Sequence, residues 1–391
     1  MKQALAAVLM MITILLAGVL AGLPGLAHAA AARWQPGEAL GGRLAVVDGL
    51  ALLELSGTPA ERGRQAAALV GLQGRDLLSV MRFSPTARLT DKARLTAVLA
   101  ATRPGDRAEL NAFADALGVD RDALLLANAT IETLCSAVVH LPTATVARNM
   151  DFFPAGPLGQ ATIVQVVREP GRHSYAAVGW PAMAGVISGI NDSGLSANIL
   201  LNWKGDQPAS GEPLAFRVRA ILQDCPDVES GLAALGAAPV GSRHYVLLAD
   251  AHSAALAWWT PDGLRVDRPG SDGWLVASNA GREHGLPRPD DDRGTCLMRA
   301  CAVAGATPDP SWFRRVVSAS YLPMLNAQAM VFAMRQRRLD LAVAEGLQPA
   351  ALRAWHTVEL GPLLDGASVE QAVVRSLPPE QPMTHYLRSD R

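Results

Sequence analysis

Hydrophobic and polar positions change their period at residue 135. Upstream, apolar residues recur three and four apart. Thr58-Pro59-Ala60-Glu61 has the form of a capping box with proline at the first helical position, and predicts a helix running towards Arg82. Further helical stretches are expected over about 91–102, 105–117 and 120–133, which makes the front quarter mostly helical. Downstream the period shortens towards two. Strands are expected over 161–167, 175–179, 185–190, 195–202, 244–250, 255–259, 274–278, 327–333, 339–343 and 356–360. Helices are expected over 213–223, 227–235, 294–303 and 310–320. Strands that look antiparallel, with helices before, within and after them, predict helices covering a two-sheet core. No internal repeat, low-complexity tract or domain-separating linker interrupts the chain.

The change of period falls on a thiol. Cys135 begins CSAVVHL, a Pro142-Thr143 turn follows, and ATVARNMDF returns, which reads as a hairpin of two short strands. A lone cysteine at such a junction is most often a small buried hydrophobe. Its company points elsewhere: Arg148 and Asp151 stand on the returning strand, amid Val146, Met150, Phe152 and Phe153, too apolar a setting for a surface ion pair. If the bond between Leu134 and Cys135 is cut, the freed α-amine, with an ordinary pKa of about 7.7–8.0, can serve as base for its own side chain. Arg148 and Asp151 would fold back beside the thiol.

The beginning of the chain sets the compartment. Lys2, an uncharged apolar run to Leu26, and Ala27-His28-Ala29 form an export signal with a small-residue cleavage site. The run is nearly long enough to act as an uncleaved membrane anchor, but Pro24, Gly25 and the cleavage site favour removal. Taking residues 1–29 from 391 leaves 362, enough for one large domain. Without Lys2, 34 of the 35 basic residues remain against 36 acidic ones, and a net charge of −2 excludes an electrostatic nucleic-acid binder. Four cysteines are too few for a disulfide framework; with Cys135 kept as a thiol, Cys225, Cys296 and Cys301 allow one bridge at most.

Two further segments carry polar groups placed for chemistry. Trp274–Ser278 is an apolar strand ending at Asn279, whose side-chain N–H can meet a developing oxyanion; a turn asparagine before Ala280-Gly281 is an equally good reading. Asp290-Asp291-Asp292-Arg293-Gly294-Thr295 is either a solvated acidic loop capping a helix or the source of a second cation, Arg293, near the nucleophile. Gly185–Gly194 lacks the spacing and lysine of a phosphate loop and reads as turns. No G-x-S-x-G, S-x-x-K, H-E-x-x-H or C-x-x-C occurs, and the eight histidines form no pair with metal-ligand spacing. His140 is an alternative base for Cys135, though five residues along the strand it more naturally points away.

At these residues the chain resembles the autoproteolytic amino-terminal-nucleophile (Ntn) cysteine amidohydrolases and acyltransferases, the group of acid ceramidase, the acid amidase acting on N-acylethanolamines, and isopenicillin N acyltransferase. Gly57–Gln65 (GTPAERGRQ) resembles that group's early G-x-P-x-E-x-G-x-Q segment, and Glu109–Glu132 its helical lead-in. Cys135 matches the nucleophile, Arg148–Phe152 the R-N-x-D segment, Ser278-Asn279 a T-N pair, and Asp291–Thr295 the D-D-R-R-T run of the ceramidase branch. Met330–Val343 resembles the last sheet strands. Leu134 before the thiol, Ser278 for threonine, Ala280-Gly281 after the asparagine and Gly294 for arginine are departures.

The resemblance implies a four-layer αββα sandwich with antiparallel sheets. After the signal read at 1–29, it implies a helical front fragment over 30–134 and a catalytic fragment over 135–391 that stays associated with it as one folded unit. Cys135 is then the nucleophile, Asp151 holds its amine, Arg148 positions carboxylate and thiol, Asn279 donates to the oxyanion, and Arg293 completes the electrostatics. Asn202 is a further substrate contact. The expected activity is hydrolysis of linear N-acyl amides by an exported enzyme without cofactor or metal, through a thioester on Cys135. Acyl transfer to an amine is the alternative, and a non-catalytic exported binding protein on the same fold is another.

Overall fold

The computed structural model describes residues 34–81, 92–129, 133–202, 211–238, 240–241, 243–283, 285–288 and 290–383. The export signal read at 1–29 and residues 130–132 of the lead-in to Cys135 lie outside these.

Three strands, β1 (Gly37–Ala39), β2 (Gly42–Val47) and β3 (Leu50–Ser56), precede the first helix. The sequence reading expected no strands here, although most of the described front segment is helical, as it expected. Its two tight turns are made at Leu40-Gly41 and Asp48-Gly49, where all four residues have positive φ, the geometry that matches the twist of a two-residue hairpin. Helices follow: α1 (Pro59–Met81), α2 (Lys92–Ala101), α3 (Pro104–Leu117) and α4 (Arg121–Ala129).

The Gly57–Gln65 motif turns out to be structural. The Thr58 backbone N–H donates to Glu61 Oε2 at 2.7 Å and starts α1. Gln65 accepts from Ser56 N and donates to Ser56 O and Leu40 O, each at 3.0 Å, tying α1 to the strands before it. A Cβ on Gly63 would stand 2.1 Å from the Glu109 carbonyl oxygen of α3, so only glycine lets the two helices approach. Gly63→Ala is expected to destabilise the protein by at least the 1–3 kcal/mol typical of overpacking, read as a lower urea midpoint with an unchanged slope.

The hairpin read at Cys135 forms as β4 (Leu134–His140) and β5 (Thr145–Asp151). After α5 (Ala155–Gln160) come β6 (Ile163–Arg168), β7 (Tyr175–Gly179), β8 (Ser188–Asn191) and β9 (Ser196–Leu201). Helices α6 (Leu214–Asp224) and α7 (Val228–Gly236) lead to β10 (His244–Ala249), β11 (Ala254–Thr260), β12 (Gly263–Asp267) and β13 (Trp274–Ser278). A short ribbon of β14 (Arg282–Glu283) and β15 (Leu286–Pro287) precedes α8 (Asp292–Ala302) and α9 (Pro310–Val316). The last elements are β16 (Asn326–Ala333), β17 (Arg338–Val343), β18 (Trp355–Glu359), α10 (Leu360–Leu364) and β19 (Val374–Leu377).

Two sheets result. One has ten strands in the order β1-β2-β3-β6-β7-β8-β9-β10-β11-β12, the other seven in the order β13-β4-β5-β16-β17-β18-β19. They face each other across a single core that draws on both, and β4 and β13 pack against β9. Helices α1, α6 and α7 lie on the ten-stranded sheet, and α8 and α9 on the seven-stranded one. This is the expected αββα arrangement. Both faces of the central strands are covered, which is why β10 and β16 are buried along their whole length rather than alternating. One pairing departs from antiparallel: β3 lies parallel to β6, because the chain leaves this sheet after β3, builds four helices and a hairpin of the other sheet, and returns in the same direction.

Candidate active site

The β4–β5 register decides where each polar group goes. Ala137 pairs with Arg148, Cys135 with Met150 and Leu134 with Asp151. Side chains alternate along a strand, so residues an odd number apart face opposite ways. Arg148 thus shares the inter-sheet face with Cys135, whereas Asn149 and Asp151 face the helices. The sequence reading put Arg148 and Asp151 together beside the thiol; they flank it from two sides of one sheet.

On the inter-sheet face, Arg148 Nη2 donates to Cys135 Sγ at 2.9 Å. Its Nη1 reaches the facing sheet, donating to Ser188 Oγ at 2.8 Å, Ile187 O at 3.2 Å and Asn198 Oδ1 at 3.4 Å. Both Cys135 and Arg148 are wholly buried. Burial pushes the thiol up, while the Arg148 charge and a hydrogen bond with Thr133 pull it down. Burial likewise lowers Arg148, with the sulfur opposing. Thr133 Oγ1 lies 3.3 Å from Sγ, and a small recess at this point is lined by Asn128, Thr133, Ile187, Ile199, Leu214 and His244.

The backbone nitrogen of Cys135 is held separately. Its N–H donates to Asn279 Oδ1 at 2.8 Å. Asn279 follows β13, the neighbour of β4, and its Nδ2 donates to Leu201 O at the end of β9, at 2.7 Å. Asn279 therefore fills a different place from the oxyanion donor expected of it: its oxygen orients the Cys135 nitrogen and its N–H is spent on the facing sheet. Asn202, one residue beyond that carbonyl, is buried and donates its N–H to Arg243 O at 3.0 Å.

Arg293 joins the two sides. From the first turn of α8 it donates through Nη1 to Asn279 Oδ1 at 3.0 Å, through Nε to Ser320 O at 2.7 Å, and through Nη2 to Asp151 Oδ2. Asp151 also accepts from Asn326 Nδ2 at 2.9 Å. Burial pushes its carboxyl up, and Arg293 followed by Asn326 pulls it down. Its carboxylate thus meets Arg293 and Asn326, while the Cys135 nitrogen it was expected to hold meets Asn279. Asp291 caps α8 by accepting from Gly294 N at 3.0 Å, and it accepts from Ser278 Oγ, which locks the strand carrying Asn279 to the helix carrying Arg293. Gly294 is required there: a Cβ would sit 2.4 Å from Pro287 Cβ and from Asp291 Oδ2.

Leu134 and Cys135 are consecutive residues of β4, and the structure gathers Cys135, Arg148, Asp151, Asn279 and Arg293 around that bond. His140 is at the far end of β4, stacked 4.1 Å from Trp274 with Nδ1 3.0 Å from Thr143 Oγ1, so it takes no part. Cys225, Cys296 and Cys301 are buried thiols outside any disulfide. Among the described residues no group of histidine, cysteine and acidic side chains is arranged to hold a metal. Thr133, Ser188, Asn198, Ser320 and Asn326 were not singled out from sequence; the signal available for Asn198 was a polar residue inside the apolar strand SANILL.

A family model described as acyl-coenzyme A:6-aminopenicillanic acid acyl-transferase matches residues 142–272, a stretch that includes Arg148, Asp151 and Asn202. Over these residues the resemblance to the acyltransferases of that group therefore holds. No curated protein sequence matches the chain. Among solved structures, a Caenorhabditis elegans N-acylethanolamine-hydrolyzing acid amidase ortholog is similar at 17% identity over 51% of this chain and 92% of that one, with a TM-score of 0.43. Penicillin V acylase from Agrobacterium tumefaciens is similar at 13% identity over 64% and 100%, with a TM-score of 0.41. A mutant of the conjugated bile acid hydrolase from Clostridium perfringens is similar at 10% identity over 64% and 98%, with a TM-score of 0.40.

Proposed function

We propose that the protein is an exported cysteine hydrolase of linear N-acyl amides that first cuts itself between Leu134 and Cys135. The observation that carries this reading is the buried Arg148 guanidinium 2.9 Å from the Cys135 sulfur. Its other hydrogen bonds among the described residues go to a carbonyl, a hydroxyl and an amide, all neutral. A cation so placed is compensated best by a thiolate, and it stabilises the state in which sulfur has lost its proton.

In self-cleavage Sγ adds to the Leu134 carbonyl carbon. The bond to the Cys135 nitrogen breaks, that nitrogen takes the proton given up by sulfur, and Leu134 is left as a thioester. Water hydrolyses the thioester, releasing the Leu134 carboxylate and restoring the thiol. The new amine already has its acceptor, Asn279 Oδ1. With a substrate, the uncharged amine takes the thiol proton, Sγ attacks the amide carbonyl, and the proton passes to the leaving nitrogen; water then resolves the acyl-enzyme. Asn279 serves the oxyanion by exchanging its Leu201 contact for the substrate, with Asn202 beside it. Arg293 and Asp151 hold this arrangement. No step calls for a cofactor. The segment 1–29 directs export, and 30–134 stays with 135–391; among the described residues no helix is long and apolar enough to cross a membrane.

The test is the intact mass of the purified protein with amino-terminal sequencing of its larger fragment. Two fragments are expected, the larger beginning at Cys135. A folded single chain that hydrolyses amides overturns the proposal. A second reading, acyl transfer, is favoured by the acyltransferase description of the matched model. Product analysis with and without an amine acceptor separates the two, since only a transferase gives a new amide at the expense of free acid.

A further inference from the structure

Asp151, Arg293, Ser320, Asn149 and Asn326 form a closed ring of hydrogen bonds. Asn326 Nδ2 donates to Asp151 Oδ1 at 2.9 Å and to Asn149 Oδ1 at 3.1 Å. Asn149 Nδ2 donates to Ser320 Oγ at 3.3 Å, Ser320 O accepts from Arg293 Nε at 2.7 Å, and Arg293 closes the ring on Asp151. Asn326 is wholly buried at the start of β16, and its own oxygen accepts from Ala351 N at 2.7 Å, in the tight turn Ala350–Leu352.

Such a residue has one rotamer available. Its oxygen is taken by a backbone N–H, so its Nδ2 must face the carboxylate and cannot turn away. Asp151 in turn has one oxygen on Arg293 and one on Asn326, which leaves the carboxylate no freedom to rotate. The β5–β16 pairing adds a second constraint, because Asn326 is the direct partner of Asp151 across the ladder.

We infer that Asn326 is the positioning residue of the site: it aims the Asp151 carboxylate at Arg293, and through Arg293 fixes the Asn279 oxygen against the Cys135 nitrogen. The inference rests on the reading of Cys135 as nucleophile and extends it to a residue that touches neither thiol nor substrate. The charged group facing Asp151 is Arg293 from α8, while Cys135 of β4 and Arg148 of β5 lie on the other face of the sheet within electrostatic reach. Replacing the Asn326 donor by a carboxylate sets a like charge against Asp151 and favours its protonated form. The acid limb of the rate profile then moves to higher pH.

The test compares Asn326→Asp, Asn326→Ala and Thr357→Val. Thr357 is a control on the same sheet that loses a buried hydrogen bond to Asp340, 2.9 Å long, away from the ring. Self-cleavage is followed by mass, and hydrolysis with N-octanoyl-7-amino-4-methylcoumarin as probe. Both Asn326 variants are expected to lose about tenfold or more in kcat with KM within about twofold. In Asn326→Asp the acid limb rises by about one pH unit, and Thr357→Val changes neither. Folded Asn326 variants with the parent kcat and acid limb overturn the inference. Should they fail to fold, the wild-type protein decides by NMR: the Asn326 side-chain amide signals must shift with the titration of Asp151, and amide signals indifferent to it overturn the inference. A Cys135→Ala protein that keeps its activity refutes the nucleophile reading instead, and the two failures are distinct.

Discussion

Replacing Cys135 by alanine is expected to leave the protein as one uncut chain and to reduce amide hydrolysis at least about a thousandfold, to the background of the assay. The substitution removes the atom that attacks in both reactions and disturbs little else, since alanine fits the same strand position. Mass spectrometry reads the first effect and rate measurement the second. Cys135→Ser is the sharper comparison. It keeps a hydroxyl near Arg148 but lacks an atom that ionises near neutrality, so slow or partial cleavage is expected. A Cys135→Ala protein that still splits before residue 135 would show that another group performs the attack.

Removing the Glu109 carboxylate is expected to cost about 3 kcal/mol of stability, the lower end for a broken buried ion pair, because it takes one carboxylate from two buried cations at once. Glu109 accepts from Arg62 Nε at 3.0 Å and from Arg219 Nη2 at 2.6 Å, and both guanidiniums are 1% exposed. Each cation would keep a second carboxylate, Glu169 Oε2 at 3.0 Å from Arg62 Nη1 and Asp106 Oδ1 at 3.7 Å from Arg219 Nη1. Glu109→Ala should shift the urea midpoint far down, and Glu109→Gln, which keeps the acceptor but not the charge, should fall between. Arg62 and Glu109 precede the proposed cleavage position, whereas Arg219 and Glu169 follow it. If the chain is cut, the same substitution should also loosen the fragments, measured by native mass spectrometry at matched concentration.

Much of the fold was legible because the driving patterns were strong. Tyr175–Gly179 and Trp274–Ser278 are apolar runs between clear turn signals, and they are the strands formed. The front strands were missed although Asp48-Gly49, flanked by alternating residues, is a hairpin signal; the capping box and helices beyond it dominated that quarter. At the site, residue types were legible but directions were not. The three-residue spacing of Arg148 and Asp151 places them on opposite faces once their segment is a strand, a consequence of period two that sequence order conceals. Asn279 offers two polar ends, and only the positions of Leu201 and Cys135 determine which end faces which. Asn326 carries no local signal at all. Its significance comes from pairing with Asp151, 175 positions earlier.

That separation has a bearing on biosynthesis. A ribosome delivers Cys135 long before Asn279, Arg293, Ser320 and Asn326, the residues that surround its peptide bond and anchor its neighbours. The nascent polypeptide therefore carries a dormant thiol until almost all of it has emerged. A chain truncated before β16 would keep Asn279, Arg293 and Ser320 but lack Asn326; if the protein cuts itself as proposed, scission doubles as a check that β16 has been made and has paired with β5.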